Sequence, residues 1–137
     1  MHERGLYERV TALLHATNVL GGYHCSLVCT EQGLPIASSG DGIPDEDLAA
    51  FTSLFDDIVQ RATRDMGMTV VDEVTLLDPH TGRLVIRPLS LDGEHRLFLV
   101  VRVPVKASWR RNTNRLVLSL STELAPLIAH ADAEVSP

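Results

Sequence analysis

The chain has 137 residues, 45 % of them hydrophobic and 22 % charged, a balance that suits one globular domain and excludes disordered or fibrous proteins. Twelve Lys and Arg against eighteen Asp and Glu give a net charge of −6, the wrong sign for a protein that would bind nucleic acid by neutralising phosphates. Two cysteines, Cys25 and Cys29, cannot build the disulfide framework of a secreted scaffold.

Leu6, Val10, Leu13 and Leu14 recur at helical spacing and predict an amphipathic helix over residues 3–17, ended by Asn18 and the pair Gly21-Gly22. His2, Glu3, Arg4, Glu8 and Arg9 interrupt this stretch, so it lacks the apolar core of a signal peptide. No run of eighteen apolar residues follows, so no membrane insertion is expected and the predicted location is cytoplasmic. Residues 23–30 read as a strand with Tyr23, Cys25, Leu27 and Cys29 on one face. Glu31-Gln32-Gly33 turns the chain into a short strand over 34–38, where Pro35 lacks an amide hydrogen and belongs at a sheet edge.

A polar loop over 39–42 leads to Pro44 and the acidic trio Asp45, Glu46 and Asp47, which suit the dipole of a helix N-terminus. In the helix that follows, Leu48, Phe51, Leu54, Phe55, Ile58, Val59, Ala62 and Met66 share an apolar arc about 140° wide at ~100° per residue. The opposite side carries Ser53, Asp56, Asp57, Gln60, Arg61 and Arg64, and Gly67 is the stop. Strands are predicted over 69–77, 83–89 and 96–103, with turns at 78–82 and at Asp92-Gly93. In the last strand Leu97, Leu99, Val101 and Val103 alternate with Phe98 and Val100, so both faces are buried and the strand is central. Ser108 is the predicted N-cap of a third helix with the stripe Leu116, Val117, Leu120, Leu124, Leu127 and Ile128, and with Trp109 about two turns ahead of it. Residues 1–131 thus form one domain, and 132–137 read as a disordered tail.

The residues that carry chemistry form no catalytic constellation. His24 and Cys25 are adjacent on a strand and point to opposite faces, while Cys25 and Cys29 lie roughly 13 Å apart, too far for a disulfide or a shared zinc ion. His2, His15, His80, His95 and His130 lack metal-ligand spacing, and the paired acids Asp56-Asp57 and Asp45-Glu46-Asp47 read as solvated faces. Gly21-Gly22 and Gly40-Asp41-Gly42 lack the strand-to-helix setting of a phosphate loop. No catalytic, metal or cofactor residue is therefore predicted. Arg102, Lys106, Arg110, Arg111 and Arg115 gather near the third helix; Arg110, Arg111 and Arg115 are candidate partner-binding residues, the plainer reading being a solvated face. Leu118 projects away from the buried stripe of that helix.

The segment Gly33-Leu34-Pro35-Ile36-Ala37-Ser38-Ser39-Gly40, the helix over 47–66, the stretch Glu73-Val74-Thr75-Leu76-Leu77 and the run Arg83-Leu84-Val85-Ile86-Arg87-Pro88-Leu89, in this order, resemble the roadblock/dynein light chain family. The likeness covers about residues 6–128. It implies an α/β (α+β) fold, a roadblock-like α-β-β-α-β-β-β-α sandwich whose five-stranded antiparallel sheet carries one helix on one face and two on the other. It also implies a homodimer in which the third strand pairs with its copy and the middle helices pack side by side. Thr52, Asp56, Thr63, Val70, Asp72, Val74 and Leu76 are the dimer-interface residues expected on that basis. Residues 69–77 hold neither proline nor glycine, so that edge is open to pairing, with Asp72 and Glu73 either setting register or blunting the edge. Bacterial relatives of this type accompany a small Ras-like GTPase as activating or docking partners without supplying a catalytic side chain. The expected function is a non-enzymatic adaptor for such a GTPase. The alternatives are a passive scaffold for signalling or motor proteins and a small-molecule sensory domain.

Overall fold

A computed structural model describes residues 2–42, 44–89 and 96–135. The predicted Asp92-Gly93 turn and His95, and the side chains of His2, Leu127, Ile128 and His130, lie outside the described residues. The chain runs α1 (His2–Gly21), β1 (Cys25–Thr30), β2 (Pro35–Gly40), α2 (Asp45–Asp65), β3 (Val74–Asp78), β4 (Gly82–Leu89), β5 (Leu97–Val103) and α3 (Arg110–Val135). The strands form one sheet in the order β2-β1-β5-β4-β3, and every neighbouring pair is antiparallel.

Strand β5 is the centre of the sheet and shows why the fold has three layers. Leu97, Leu99, Val101 and Val103 join Val10 and Leu14 of α1 and Leu116, Leu120 and Leu124 of α3 in one core. Phe98 and Val100 face the other way and meet Leu48, Ala49 and Phe55 of α2 with Leu27, Cys29 and Ile86 in a second core. An alternating apolar strand can satisfy both faces only when each is covered. Pro35 stands on β2, one of the two outer strands, where its missing amide hydrogen costs no ladder bond.

Several elements depart from the pattern the sequence suggests. Helix α1 runs through Asn18 to Gly21 and stops at Gly22, whose φ of 69° lets the Tyr23 amide donate to the Asn18 carbonyl at 2.9 Å. Asn18 stays in the helix because its side-chain amide reaches the Ser39 carbonyl of β2 at 3.1 Å. Tyr23 precedes β1 and packs in the α1/α3 core, its hydroxyl donating to the Ser108 carbonyl at 3.0 Å; it does not share the face of Leu27 and Cys29. The Thr113 amide donates to the Trp109 carbonyl at 2.9 Å, so α3 starts one residue later than a Ser108 cap would place it. That helix continues through Val135, into the stretch read as a disordered tail.

Candidate protein-interaction site

Helix α2 decides which surface is left open. Its buried residues are Leu48, Ala49, Thr52 and Phe55, a face rotated from the predicted arc toward small side chains. The reason is close approach: Gly33, at φ 84°, lies so near α2 that an added Cβ would sit 3.1 Å from the Ala50 Cα and 3.2 Å from the Ala49 carbonyl oxygen. The rotation turns Phe51, Leu54, Ile58 and Met66, which the apolar arc assigns to the core, out to solvent.

The flank of α2 bearing Ala49, Ala50 and Ser53 meets the β1–β2 turn at Gly33. Phe51, Leu54 and Ile58 lie on the opposite flank, toward the half of the sheet formed by β4 and β3. There Val74 and Leu84 are half-buried against the α2 core and Leu76 is exposed. Phe51 stacks edge-on against Phe55, with ring centroids 5.3 Å apart. Met68 and Val70, in the link between α2 and β3, are exposed as well. The result is an apolar surface that continues from a helix flank onto an outer strand whose far edge has no partner strand among the described residues.

Three predicted interface residues are not part of it. Thr52 is fully buried and its hydroxyl donates to the Leu48 carbonyl at 2.7 Å, so no partner can reach it. Asp56 faces the sheet, where Arg96 donates to both its carboxylate oxygens at 2.7 and 2.9 Å and also pairs with Glu31 at 2.6 Å. Thr63 is half-buried and donates to the Gln60 carbonyl at 2.9 Å. All three lie on the sheet-facing side of α2, whereas Phe51, Leu54 and Ile58 are exposed.

Strand β3 begins at Val74, not at Thr69. Arg87 of β4, only 4 % exposed, draws the preceding segment out of the sheet. Its Nε donates to the Asp72 carbonyl at 2.8 Å and one Nη to the Asp72 carboxylate at 3.0 Å. The other Nη donates to Thr113 Oγ1 at 3.2 Å and Asn114 Oδ1 at 2.8 Å on α3. Beside it Trp109 Nε1 donates to the Glu73 carboxylate at 3.0 Å. Asp72 and Glu73 are thus held toward the α3 layer, and the open edge is confined to residues 74–78.

The basic cluster divides. Arg102 sits on the α2 side of the sheet with Phe98 and Val100, where its charge helps hold the Asp78 carboxyl below its ordinary value, behind the hydrogen bonds from the His80 amide and the Thr81 hydroxyl. Arg110 lies over the Trp109 ring at 4.6 Å, and Arg83, which no sequence pattern singles out, lies over the same ring at 4.1 Å. Arg111 and Arg115 are exposed one turn apart on α3.

Both thiols are buried and free, while His24 is exposed. Burial pushes Cys25 up from its ordinary value and Cys29 up to about 12, the Thr52 hydroxyl opposing the latter shift. Neither is poised as a nucleophile. Among the described residues no group of three or more His, Cys, Asp or Glu side chains could hold a metal ion, and no helix is long and apolar enough to cross a membrane.

A five-stranded antiparallel sheet with one helix on one face and the two terminal helices on the other is the roadblock fold. Solved structures similar to this chain include Myxococcus xanthus MglB, with a TM-score of 0.70 at 15 % identity over 89 % of this chain and 96 % of that one. The roadblock/LC7 domain from Streptomyces avermitilis matches with a TM-score of 0.70 at 16 % identity, covering 87 % and 97 %. The gliding protein MglB from Thermus thermophilus matches at 0.68 and 19 % identity, covering 86 % and 90 %. At these identities the likeness establishes the fold. No family model matches the chain, and no curated protein matches it.

Proposed function

We propose that this chain is a non-enzymatic homodimeric adaptor that binds a small Ras-like GTPase as an activating or docking partner. The observation that carries the reading is the apolar surface running from Phe51, Leu54 and Ile58 onto Val74 and Leu76 beside the free edge of β3. An exposed edge strand flanked by apolar side chains is a template for pairing, and a two-fold axis perpendicular to the sheet at the free edge of β3 pairs the two edges antiparallel and sets the same patch of two copies side by side. Val70 then borders the seam, while Asp72, tied to Arg87, stands at its rim. The GTPase partner rests on the resemblance of the residues to the roadblock family.

Light scattering during size-exclusion chromatography is expected to give twice the chain mass. Titrating a genomically adjacent GTPase, loaded with diphosphate or with a non-hydrolysable triphosphate analogue, then gives two dissociation constants. A regulator must bind one nucleotide state more tightly, because only differential affinity biases the mobile switch segments. Equal affinities with unchanged hydrolysis would assign the passive scaffold instead.

A further inference from the structure

The positive charge of this acidic chain is unevenly used. Among the described residues Arg9, Arg61, Arg64, Arg87 and Arg96 each form an ion pair. Of the described cations Arg83, Arg102, Lys106, Arg110, Arg111 and Arg115 form none; Arg102 lies on the α2 side of the sheet, and the other five collect at one end of the molecule, around the β5–α3 turn and the first turns of α3. Two of them are already ordered: Arg83 and Arg110 stack on Trp109 at 4.1 and 4.6 Å, and the indole is itself anchored to Glu73 at 3.0 Å. Guanidinium forks held in place lose less entropy on capturing a carboxylate than free side chains do. Arg111 and Arg115 share a face of α3 with Leu118, at i, i+4 and i+7, and Leu118 is 71 % exposed. A basic surface thus runs from Arg83 and Arg110 beside Trp109 onto the outer face of α3, where Arg111 and Arg115 adjoin one apolar anchor, on the face of the sheet opposite α2.

We propose that this end of α3 is a docking surface for an acidic protein segment, one that presents several carboxylates beside an apolar side chain. The charge balance selects this occupant over an anionic bilayer. A net charge of −6 repels an extended anionic surface, whereas a short acidic segment feels only charges within a Debye length of about 8 Å. The surface is distinct from the α2–β3 seam, so the proposal does not depend on dimerisation or on the GTPase being the partner.

Trp109 is the only tryptophan in the chain and carries the Arg83 and Arg110 stacks at one side of the patch, so it reports on occupancy of that side. A fluorescently labelled peptide of alternating Glu, Asp and Leu is titrated with the full chain, following peptide anisotropy for affinity and Trp109 emission for location. Its Gln/Asn counterpart, phosphatidylserine vesicles and inorganic polyphosphate serve as parallel probes. The acidic peptide is expected to bind and to change Trp109 emission, and raising salt from low to above physiological levels should weaken it about tenfold or more. The neutral peptide should not bind. A folded Arg111→Glu/Arg115→Glu variant, which leaves the Trp109 stack intact, should lose affinity about tenfold. Absence of binding at low salt, binding without a change at Trp109, an unaffected charge-reversal variant, or tighter binding of vesicles or polyphosphate than of the peptide would each overturn the proposal. A failed GTPase titration would leave it standing.

Discussion

Replacing Leu54 by glutamate tests the proposed seam where the geometry is least ambiguous. Leu54 is 62 % exposed in the single chain, so the substitution removes little from the core and should leave folding intact. Fully burying a leucine side chain is worth about 1.5–3 kcal/mol, so covering the exposed portion contributes about 1–2 kcal/mol. A two-fold seam counts each residue twice, which makes the loss about 2–4 kcal/mol per dimer. At a factor of ten per ~1.4 kcal/mol, the dimer dissociation constant should rise roughly thirtyfold to a thousandfold. Desolvating the new carboxylate makes that a lower bound. Sedimentation velocity over a dilution series measures the constant, with far-ultraviolet circular dichroism confirming the fold. A folded Leu54→Glu chain that dimerises as tightly as the parent would refute the assignment of this flank to the interface.

Three further outcomes follow from the packing. Arg87→Met should destabilise the chain by about 2–3 kcal/mol in urea denaturation, because it deletes four hydrogen bonds of a buried guanidinium; the exposure of the Asp72 carboxylate, 76 %, keeps the loss below that of a wholly buried ion pair. A change near zero would mean that the 69–73 segment is held by something else. Gly33→Ala should cost about 1–2 kcal/mol, since it places a Cβ at positive φ against the backbone of α2, and an unshifted urea midpoint would contradict the close approach. The Cys29 thiol, pushed up to about 12 from an ordinary 9.0, keeps its proton in the folded chain after the unfolded chain has released it. Stability should therefore fall as pH climbs from about 9 toward 12, and Cys29→Ala should lose ~1 kcal/mol near neutrality through its cavity yet flatten that decline. Parallel stability curves for the two proteins across that range would argue against a shifted thiol.

The layered fold is legible in the sequence because its strongest signals are local. The alternation in residues 97–103 reports burial on both faces, and Pro35 marks an edge, without knowledge of what lies alongside. The errors arise where a distant residue intervenes. The arc of α2 is wider than one contact face, and nothing in its own sequence tells that Gly33 will admit the helix on its Ala49 and Thr52 side. Surplus apolar width is itself a sign that a second surface exists, and it points to Phe51, Leu54 and Ile58 without separating them from the core. Residues 69–73 have strand propensity, but Arg87 and Trp109, remote in sequence, draw them toward α3. Proximity along the chain groups Arg102 with the α3 cluster, whereas strand alternation sends it to the other side of the sheet.

The position of β5 also governs the order in which the chain can assemble. The hairpins β1–β2 and β3–β4 close over short loops, but they are joined only by β5, which pairs Cys25 with Arg102 and Thr30 with Leu97 on one side and Ile86 with Val100 on the other. Until that strand emerges during synthesis, two separate ribbons exist with no common sheet, and a two-stranded ribbon alone is marginal in water. The non-local closure between β1 and β5 then carries most of the loop entropy and slows folding relative to a helical protein of this size. Release of a chain cut between β4 and β5 should accordingly yield an aggregating intermediate, with the apolar faces of both hairpins exposed together.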